Sequence, residues 1–270
     1  MTVGKWSLLD LVFVLWWPCW QRSRIGEMSG HSKWSSIKHQ KGAADAKRGA
    51  VFSKLGNAIT IAARGGADPE TNFQLRIAID KARAANMPKD NIERSIERGK
   101  GGAASGLEEI TFEAYGPGGT AFLVEAATDN RNRTASEIRH TLGNHGAKLA
   151  DSGSVAYLFE RKGVMALLAN GQAEEIELMA IDAGADDVET DSERVFIYTE
   201  PHDLERVRKA LAEKGFSIEE YALSWEPKTT IPITDPKIAE QVIKLSHELD
   251  NLDDVTKVSS NFDIPENLLG

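Results

Sequence analysis

Residues 110–127 read ITFEAYGPGGTAFLVEAA, with two apolar segments on either side of a glycine-rich centre. Apolar and polar residues alternate over Ile110–Tyr115, which indicates a half-buried strand. Glycine and proline at 116–119 are typical of a tight turn, and the apolar run Thr120–Ala127 is typical of a second strand. The stretch therefore predicts a β-hairpin.

Downstream of the hairpin, helical and strand patterns mix. An amphipathic helix is predicted over Asn132–His145 and a strand over Ser154–Phe159. Residues 164–225 then follow the order strand, helix, strand, strand, helix, strand, which is typical of a ferredoxin-like domain. The remaining tail predicts a strand over 229–234, a helix over 236–252 and a strand over 255–258.

Upstream of the hairpin the apolar spacing is helical. From about Val51 to Arg64, apolar residues recur every three to four positions, at Val51, Leu55, Ala58, Ile59 and Ala62. Two further helices are predicted on either side of Pro88. The glycine-rich residues 99–106 follow a helix rather than a strand and lack the ending of a nucleotide-binding loop, so they indicate a linker.

These patterns predict an α+β protein of three domains, in which an N-terminal helical domain precedes two ferredoxin-like α+β domains. The expected boundaries are 28–105 for a basic helical domain and 160–228 for a ferredoxin-like domain inserted into a discontinuous one. Residues 106–159 and 229–270 would form that discontinuous α+β domain. Residues 1–27 are expected to be an unstructured or non-native extension, with Met28 as the natural start.

Several features of residues 1–27 favour that interpretation. They contain four of the six tryptophans and the only cysteine, Cys19. The apolar run Leu11–Trp17 is shorter than the roughly 20 residues that a membrane span needs. Residues 18–22 lack the small side chains of a signal-peptide cleavage site. We therefore expect no membrane partner, and a single cysteine suits a reducing cytoplasm because it allows no intrachain disulfide.

Charge is distributed unevenly along the chain, whose formal net charge is -9. Residues 28–104 carry a balance of +7, residues 1–27 carry +1, and residues 105–270 carry -17. A basic domain on an acidic body is typical of a protein that binds a polyanion with one part and something else with the rest.

The positive charge is densest between Lys33 and Arg64, where seven cations accompany a single acid, Asp45. Glycines 42 and 49 weaken helix formation there, so residues 30–49 are predicted to form a mobile basic arm ahead of a packed helix. Phosphates attract the cations and a nucleotide base can stack on an aromatic ring. The candidate nucleic-acid-binding residues are Lys33, Trp34, Lys38, His39, Lys41, Lys47, Arg48 and Lys54. The alternative is a solvated charge run whose tryptophan packs on its own domain.

A second candidate lies at residues 128–134, TDNRNRT, between a predicted strand and the start of a helix. Unpaired backbone N–H groups at a helix N-terminus favour anions, and Arg131 and Arg133 add guanidinium donors. The alternative is a helix cap, in which Asn132 or Thr134 caps the helix and Asp129 pairs with an arginine.

Catalytic patterns are absent from the sequence. The six histidines show no metal-ligand spacing such as His-Glu-x-x-His, and there is no Gly-x-Ser-x-Gly motif or cysteine pair. Adjacent acids such as Glu174–Glu175 are more often helix caps than catalytic pairs. We therefore expect a protein that is not an enzyme and needs no cofactor or metal.

Five motifs, in order along the chain, resemble the YebC family, which includes the mitochondrial translational activator of cytochrome c oxidase subunit one. They are residues 28–34 (MSGHSKW), 45–49 (DAKRG), 115–120 (YGPGGT), 129–134 (DNRNRT) and 153–159 (GSVAYLF). The resemblance runs from Met28 nearly to the C-terminus, and residues 1–27 depart from it.

The resemblance implies one helical and two α+β domains and a cytoplasmic, DNA-binding transcriptional regulator that acts through its basic N-terminal part. The mitochondrial relative implies the alternative, a ribosome-associated translation factor in which the same segment contacts ribosomal RNA. Because both functions rely on attraction to phosphate, and no standard recognition helix or RNA-recognition signature is present, the residues leave both open. A third alternative is an enzyme or small-molecule sensor that uses a cleft between the acidic domains.

Overall fold

The computed structural model describes residues 45–101, 106–191, 193–265 and 268, with side chains from Gly49 onward. The predicted extension 1–27, residues 28 and 29, and residues 30–44 of the predicted arm lie outside these ranges. No described helix is long and apolar enough to cross a membrane.

Three helices form the N-terminal region: α1 (Asp45–Ala62), α2 (Phe73–Ala84) and α3 (Lys89–Lys100). Their shared core contains the buried side chains of Leu55, Ile59, Leu75, Ile79, Ala82, Met87 and Ile92. The buried stripe repeats every three to four residues along each helix, as the sequence predicts, and all three helices are confirmed.

The first helix differs from the prediction in two ways. It begins at Asp45, so the predicted arm is helical over Asp45–Gly49; the cost of a glycine inside a helix is only about 1 kcal/mol and does not stop it. Val51 is 40% exposed, and its neighbour Phe52 packs on the helical core instead. The predicted apolar stripe therefore differs at its start, and Leu55, Ile59 and Ala62 contact the helical core as predicted.

The first sheet contains strands β1 (Glu108–Tyr115), β2 (Ala121–Thr128), β3 (Lys148–Ala150) and β9 (Val255–Ser260), in the order β3-β1-β2-β9. The β1–β2 hairpin is confirmed, and Tyr115 pairs with Ala121 next to the turn. Helices α4 (Arg131–Asn144) and α7 (Pro236–Asn251) contribute Ile138, Leu142, Val242, Leu245 and Leu249 to the core beside this sheet.

The second sheet contains β4 (Phe159–Leu168), β5 (Asp187–Thr190), β6 (Arg194–Thr199) and β7 (Ile218–Pro227), in the order β5-β6-β4-β7. Helices α5 (Ala173–Asp182) and α6 (Leu204–Glu213) connect them as the ferredoxin-like plan requires. Strands β8 (Ile231–Pro232) and β10 (Phe262–Asp263) form a separate parallel pair.

The chain is thus α+β, with a helical N-terminal region and two four-stranded antiparallel sheets. Strand β9 of the first sheet follows all four strands of the second sheet in the sequence. This connection is what an inserted domain requires, and the residue boundaries of the three domains stay predictions.

The strand predicted over Ser154–Phe159 is wrong. Residues 154–155 lie in a turn, Ala156–Leu158 form a 3₁₀ helix, and the strand begins only at Phe159. Val155 and Phe159 are buried, so the apolar pattern comes from two anchors on either side of the 3₁₀ turn. The backbone N–H groups of Gly153, Val155 and Ala156 donate to the carboxylate of Glu113 instead of a neighbouring strand.

Helix α2 holds the helical region against the second sheet. Its Phe73 and Ile77 pack on the core of that sheet, whereas Leu75 and Ile79 point into the helical core. Polar contacts reinforce the junction: the Tyr221 hydroxyl donates to Asp80 over 2.6 Å, and Arg76 pairs with Glu205 at 2.8 Å. The helix therefore buries two faces.

The packing of α1 against α3 depends on Gly99. A Cβ atom at this position would lie 2.5 Å from the carbonyl oxygen of Thr60 and 2.6 Å from the Cβ of Ala63. We expect Gly99→Ala to lower the free energy of unfolding by about 1–3 kcal/mol, the usual cost of overpacking, as measured by denaturant unfolding.

Gly143 supplies the matched control for Gly99, because it lies in α4 and a Cβ there would meet nothing within 4 Å. Gly143→Ala should leave stability unchanged or raise it slightly, since alanine is the better helix former. Equal stabilities of the two variants would contradict the close contact at Gly99.

Candidate nucleic-acid interface

The candidate arm residues divide into two groups. Lys33, Trp34, Lys38, His39 and Lys41 lie outside the described residues. Lys47 and Arg48 lie in the first turn of α1, where the structure describes the backbone alone. The cation-rich segment therefore leads directly into a helix whose later residues, Leu55 and Ile59, are fixed in the helical core.

Lys54 has a structural contact. Its Nζ donates to the backbone carbonyl oxygen of Asp250, in the last turn of α7. The final carbonyl groups of a helix have no partner within the helix, and a cation stabilises that end of the helix dipole. Lys54 therefore joins α1 to the end of α7.

Other cations of the helical region pair with acids or carbonyl groups. Among the described residues these pairs are Arg76–Glu205, Lys81–Glu220, Arg83–Asp80, Lys89–Glu93 and Lys100–Glu97, and Arg64 donates to the carbonyl oxygen of Leu107. Much of the positive charge of helices α2 and α3 is therefore compensated locally. The net positive charge of the region comes mainly from the segment that ends in the first turn of α1.

The second candidate, at the start of α4, contains a helix cap. Asn130 is the N-cap residue, and its side-chain oxygen accepts a hydrogen bond from the backbone N–H of Arg133. The prediction that Asn132 or Thr134 caps the helix is wrong, because the helix begins at Arg131, one residue earlier than predicted. The predicted pairing of Asp129 is confirmed, with Arg133 at 2.9 Å.

Asp254 holds this cap from the opposite side. Its Oδ2 accepts hydrogen bonds from Thr134 at 2.6 Å, Arg133 at 2.7 Å and Thr128 at 3.0 Å. Burial alone would raise the pKa of Asp254, but these hydrogen bonds and the charge of Arg133 outweigh burial and lower it. Asp254 is therefore ionised at neutral pH and fixes both Arg133 and the end of β2.

The two predicted arginines consequently differ. Two carboxylates, of Asp129 and Asp254, compensate the charge of Arg133. Arg131 and Arg139 are exposed on the same helix, and within the described residues no acid lies within salt-bridge distance of either. Arg131 is therefore the more accessible of the two predicted phosphate contacts.

Glu113 is 6% exposed and has a structural role that the sequence pattern does not predict. Its Oε1 accepts from the N–H of Gly153 at 2.6 Å, and its Oε2 accepts from Val155 at 2.7 Å and Ala156 at 2.9 Å. Burial opposes the ionised form, yet the backbone hydrogen bonds prevail and lower the pKa of Glu113. The only signal in the sequence is an acid midway along a strand, between Phe112 and Ala114.

The helical N-terminal region and the α+β region that follows it both match a known protein family. Residues 32–102 match the family description "TACO1/YebC protein N-terminal domain", and residues 107–262 match "TACO1/YebC second and third domain".

Similar proteins carry a regulatory name. A "Probable transcriptional regulatory protein" of Rubrobacter xylanophilus is 53% identical over 247 residues, covering 90% of this chain and 98% of the relative. One of the same name from Dictyoglomus turgidum is 49% identical over 248 residues, covering 90% and 98%.

A crystal structure of a conserved hypothetical protein from Aquifex aeolicus has the same fold, with a TM-score of 0.80 and 47% sequence identity, and covers 88% of this chain and 99% of that one. Both family domains, the relatives and the fold agree over nearly the whole described length. The chain belongs to the TACO1/YebC family.

Proposed function

We propose that this chain is a transcriptional regulator of the cytoplasm that binds DNA through the basic segment Lys33–Arg48 and has no enzymatic activity. One observation carries the proposal: a balance of +7 over residues 28–104 in a chain whose remaining residues 105–270 carry -17. Cations concentrated in this way attract phosphates and release condensed counterions on binding. The names of the relatives support a regulatory role.

Three contacts make the start of α1 a suitable base for such a segment. Leu55 and Ile59 fix the helix in the helical core, and Lys54 ties it to the end of α7. The basic segment that precedes these residues therefore joins the folded helical region at a fixed point, the start of α1. Arg131 at the start of α4 is a further phosphate contact in this proposal, and the acidic domains would serve other partners.

A ribosome-associated translation factor is the second candidate function. The family description supports this candidate because it names YebC together with TACO1, the mitochondrial translational activator. The same cations would then contact ribosomal RNA. The two functions predict different sedimentation of the protein when gently lysed cells are separated on a density gradient, with and without nuclease. Comigration with DNA that DNase abolishes supports the regulator, whereas comigration with ribosomal subunits after DNase treatment overturns it in favour of the translation factor.

Trp34 allows stacking to be separated from charge. If its ring stacks on an unpaired base, Trp34→Ala should cost about 1–3 kcal/mol in binding to single-stranded RNA or DNA. The loss should change little with salt, because stacking releases no phosphate counterions. Duplex DNA bound through its phosphates should lose much less. Titrations of labelled oligonucleotides at several salt concentrations measure both effects.

The control for Trp34 is the thermal stability of the variant. If Trp34 instead packs on the helical region, Trp34→Ala should lower the melting temperature and weaken the affinity for every ligand equally. That combination would rule out a stacking role. Trp34→Phe, which keeps an aromatic face, should retain most of the affinity.

A further inference from the structure

Two tyrosines are exposed on one surface beside the first sheet. Tyr115 ends β1 and is 47% exposed, and Tyr157 lies in the 3₁₀ helix Ala156–Leu158 and is 66% exposed. The Tyr115 hydroxyl donates to the carbonyl oxygen of Ser154 over 3.0 Å. Ser154 precedes Tyr157 by three residues, so the hydroxyl of Tyr115 lies close along the chain to Tyr157. The exposed region that contains both tyrosines is here called the tyrosine surface.

The exposure of Tyr157 follows from how its backbone is held. Its flanking residues Val155 and Phe159 are buried against β2 residues Ala121 and Leu123. The carboxylate of Glu113 holds the preceding turn through three backbone N–H groups. A 3₁₀ turn fixed at both ends presents the ring of Tyr157 outward, so the ring is displayed by a rigid support.

Lys228 completes the support and adds charge. Its backbone N–H donates to the carbonyl oxygen of Leu158 over 2.8 Å, and its Nζ donates to that of Tyr157 over 3.1 Å. Lys148 is exposed and lies directly opposite Tyr115 in the β1–β3 register, so the two side chains share a face. One ammonium group thus bonds to the backbone of Tyr157, and the other belongs to a residue on the same face as Tyr115.

Aromatic faces beside ammonium groups match the chemistry of an unpaired nucleotide. Every base has a π-face that can stack on a tyrosine ring, and its phosphate can meet a lysine. Asp151 and Glu160 are also exposed near the turn, which leaves the local charge close to balanced. Stacking rather than charge would therefore supply most of the binding free energy at this surface.

We propose that Tyr115, Tyr157, Lys148 and Lys228 form a second contact for single-stranded nucleic acid, apart from the basic segment that precedes α1. This inference rests on the proposed function, since it assumes that the same nucleic acid reaches both places. It specifies that the target of this chain has unpaired bases. Phosphates are held by the basic segment, and bases stack on the tyrosine surface.

The test is the affinity of the full-length chain for labelled 30-nucleotide single strands of RNA and DNA. Tyr157→Ala should weaken binding by about 5- to 100-fold, with little change in the salt dependence, and Tyr157→Phe should restore it. Leu178→Ala is the matched control, because Leu178 is 64% exposed on α5 and should leave affinity unchanged.

Photocrosslinking of the unaltered chain gives an independent result. RNA that carries 5-iodouridine should crosslink to Tyr157 or Tyr115, as mapped by mass spectrometry. Crosslinks confined to residues 33–48, together with normal affinity of Tyr157→Ala, would overturn the tyrosine surface and leave the proposed function intact. A chain that binds no nucleic acid at all would overturn both.

A proline-rich peptide is the other ligand that exposed tyrosines accept. If Tyr157→Ala abolished binding of such a peptide while single-stranded RNA and DNA bound normally, the nucleotide would be the wrong occupant.

Discussion

Replacing Glu113 with alanine should lower the free energy of unfolding by about 3–4 kcal/mol, the largest loss that we expect from any single substitution in this chain. Glu113 is 6% exposed, and its carboxylate accepts three backbone hydrogen bonds from the 153–156 turn. A hydrogen bond to a charged group contributes about 1.5–3 kcal/mol. The three do not add fully, because the N–H groups of the exposed Gly153 and the half-buried Ala156 can bond water in the variant, so the net loss is about 3–4 kcal/mol. Denaturant unfolding of the variant measures the loss.

Glu109→Ala is the matched control, because Glu109 lies on the same face of β1 but is exposed. It should change stability by less than about 0.5 kcal/mol. If the two alanine variants were equally stable, the carboxylate of Glu113 would not hold the turn. Glu113→Gln, which keeps the shape of the side chain, provides a folded variant should Glu113→Ala fail to fold.

The contribution of Glu113 should also depend on pH. The folded state lowers its pKa below the ordinary value of 4.5, so the stabilisation is complete above pH 4.5 and is lost as the pH falls through the lowered pKa. The difference in unfolding free energy between the unaltered chain and Glu113→Gln should therefore shrink on acidification below pH 4.5. If the difference were the same above and below pH 4.5, the result would contradict the ionised state of the carboxylate.

Alanine at Lys33, Lys38, Lys41, Lys47 and Arg48 together should weaken DNA binding by on the order of 10³-fold near 0.1 M salt. Each lost phosphate contact lowers the slope of log K against log salt by about 0.9, so five should flatten the slope by about 4–5. Changing any two of them should flatten the slope by about 2. Titrations at four or more salt concentrations measure the affinity and the slope together.

Two controls separate position from net charge. A variant with alanine at five exposed lysines elsewhere changes the net charge equally and should keep most of the slope; these are Lys89, Lys209, Lys214, Lys237 and Lys244. Lys54→Ala should lower stability through the lost contact with Asp250 and barely alter the slope. If both five-residue variants flattened the slope of log K against log salt equally, residues 33–48 would be solvated charges with no specific contact to DNA.

Local periodicity alone determined most of the fold. The alternation over Ile110–Tyr115 and the turn residues 116–119 specify the β1–β2 hairpin, because strand pleating and turn geometry are local. The same holds for the ferredoxin-like order of residues 164–225, whose elements match their predicted bounds to within a few residues, except that β4 extends back to Phe159. The concentration of cations before α1 is likewise a property of the sequence.

Contacts between distant residues decided what the sequence left open. A period of 3.6 marks an apolar face on α2 but does not show that Phe73 and Ile77 serve a different core from Leu75 and Ile79. The pattern of Ser154–Phe159 resembles a strand, but the backbone N–H groups of this stretch bond to the carboxylate of Glu113, some 40 positions earlier, and the chain forms a 3₁₀ helix that displays Tyr157.

The candidate site divides in the same way. Residue types predicted Arg131 and Arg133 equally as phosphate contacts. In the fold, Asp254, 121 positions after Arg133, compensates the charge of Arg133 but not that of Arg131. Lys54 similarly bonds to the end of α7, 196 positions away. A sequence shows which side chains carry charge and which local structure they favour. Which charges are compensated depends on where the tertiary fold places their partners, because electrostatic and hydrogen-bond energies depend on distance in space and not along the chain.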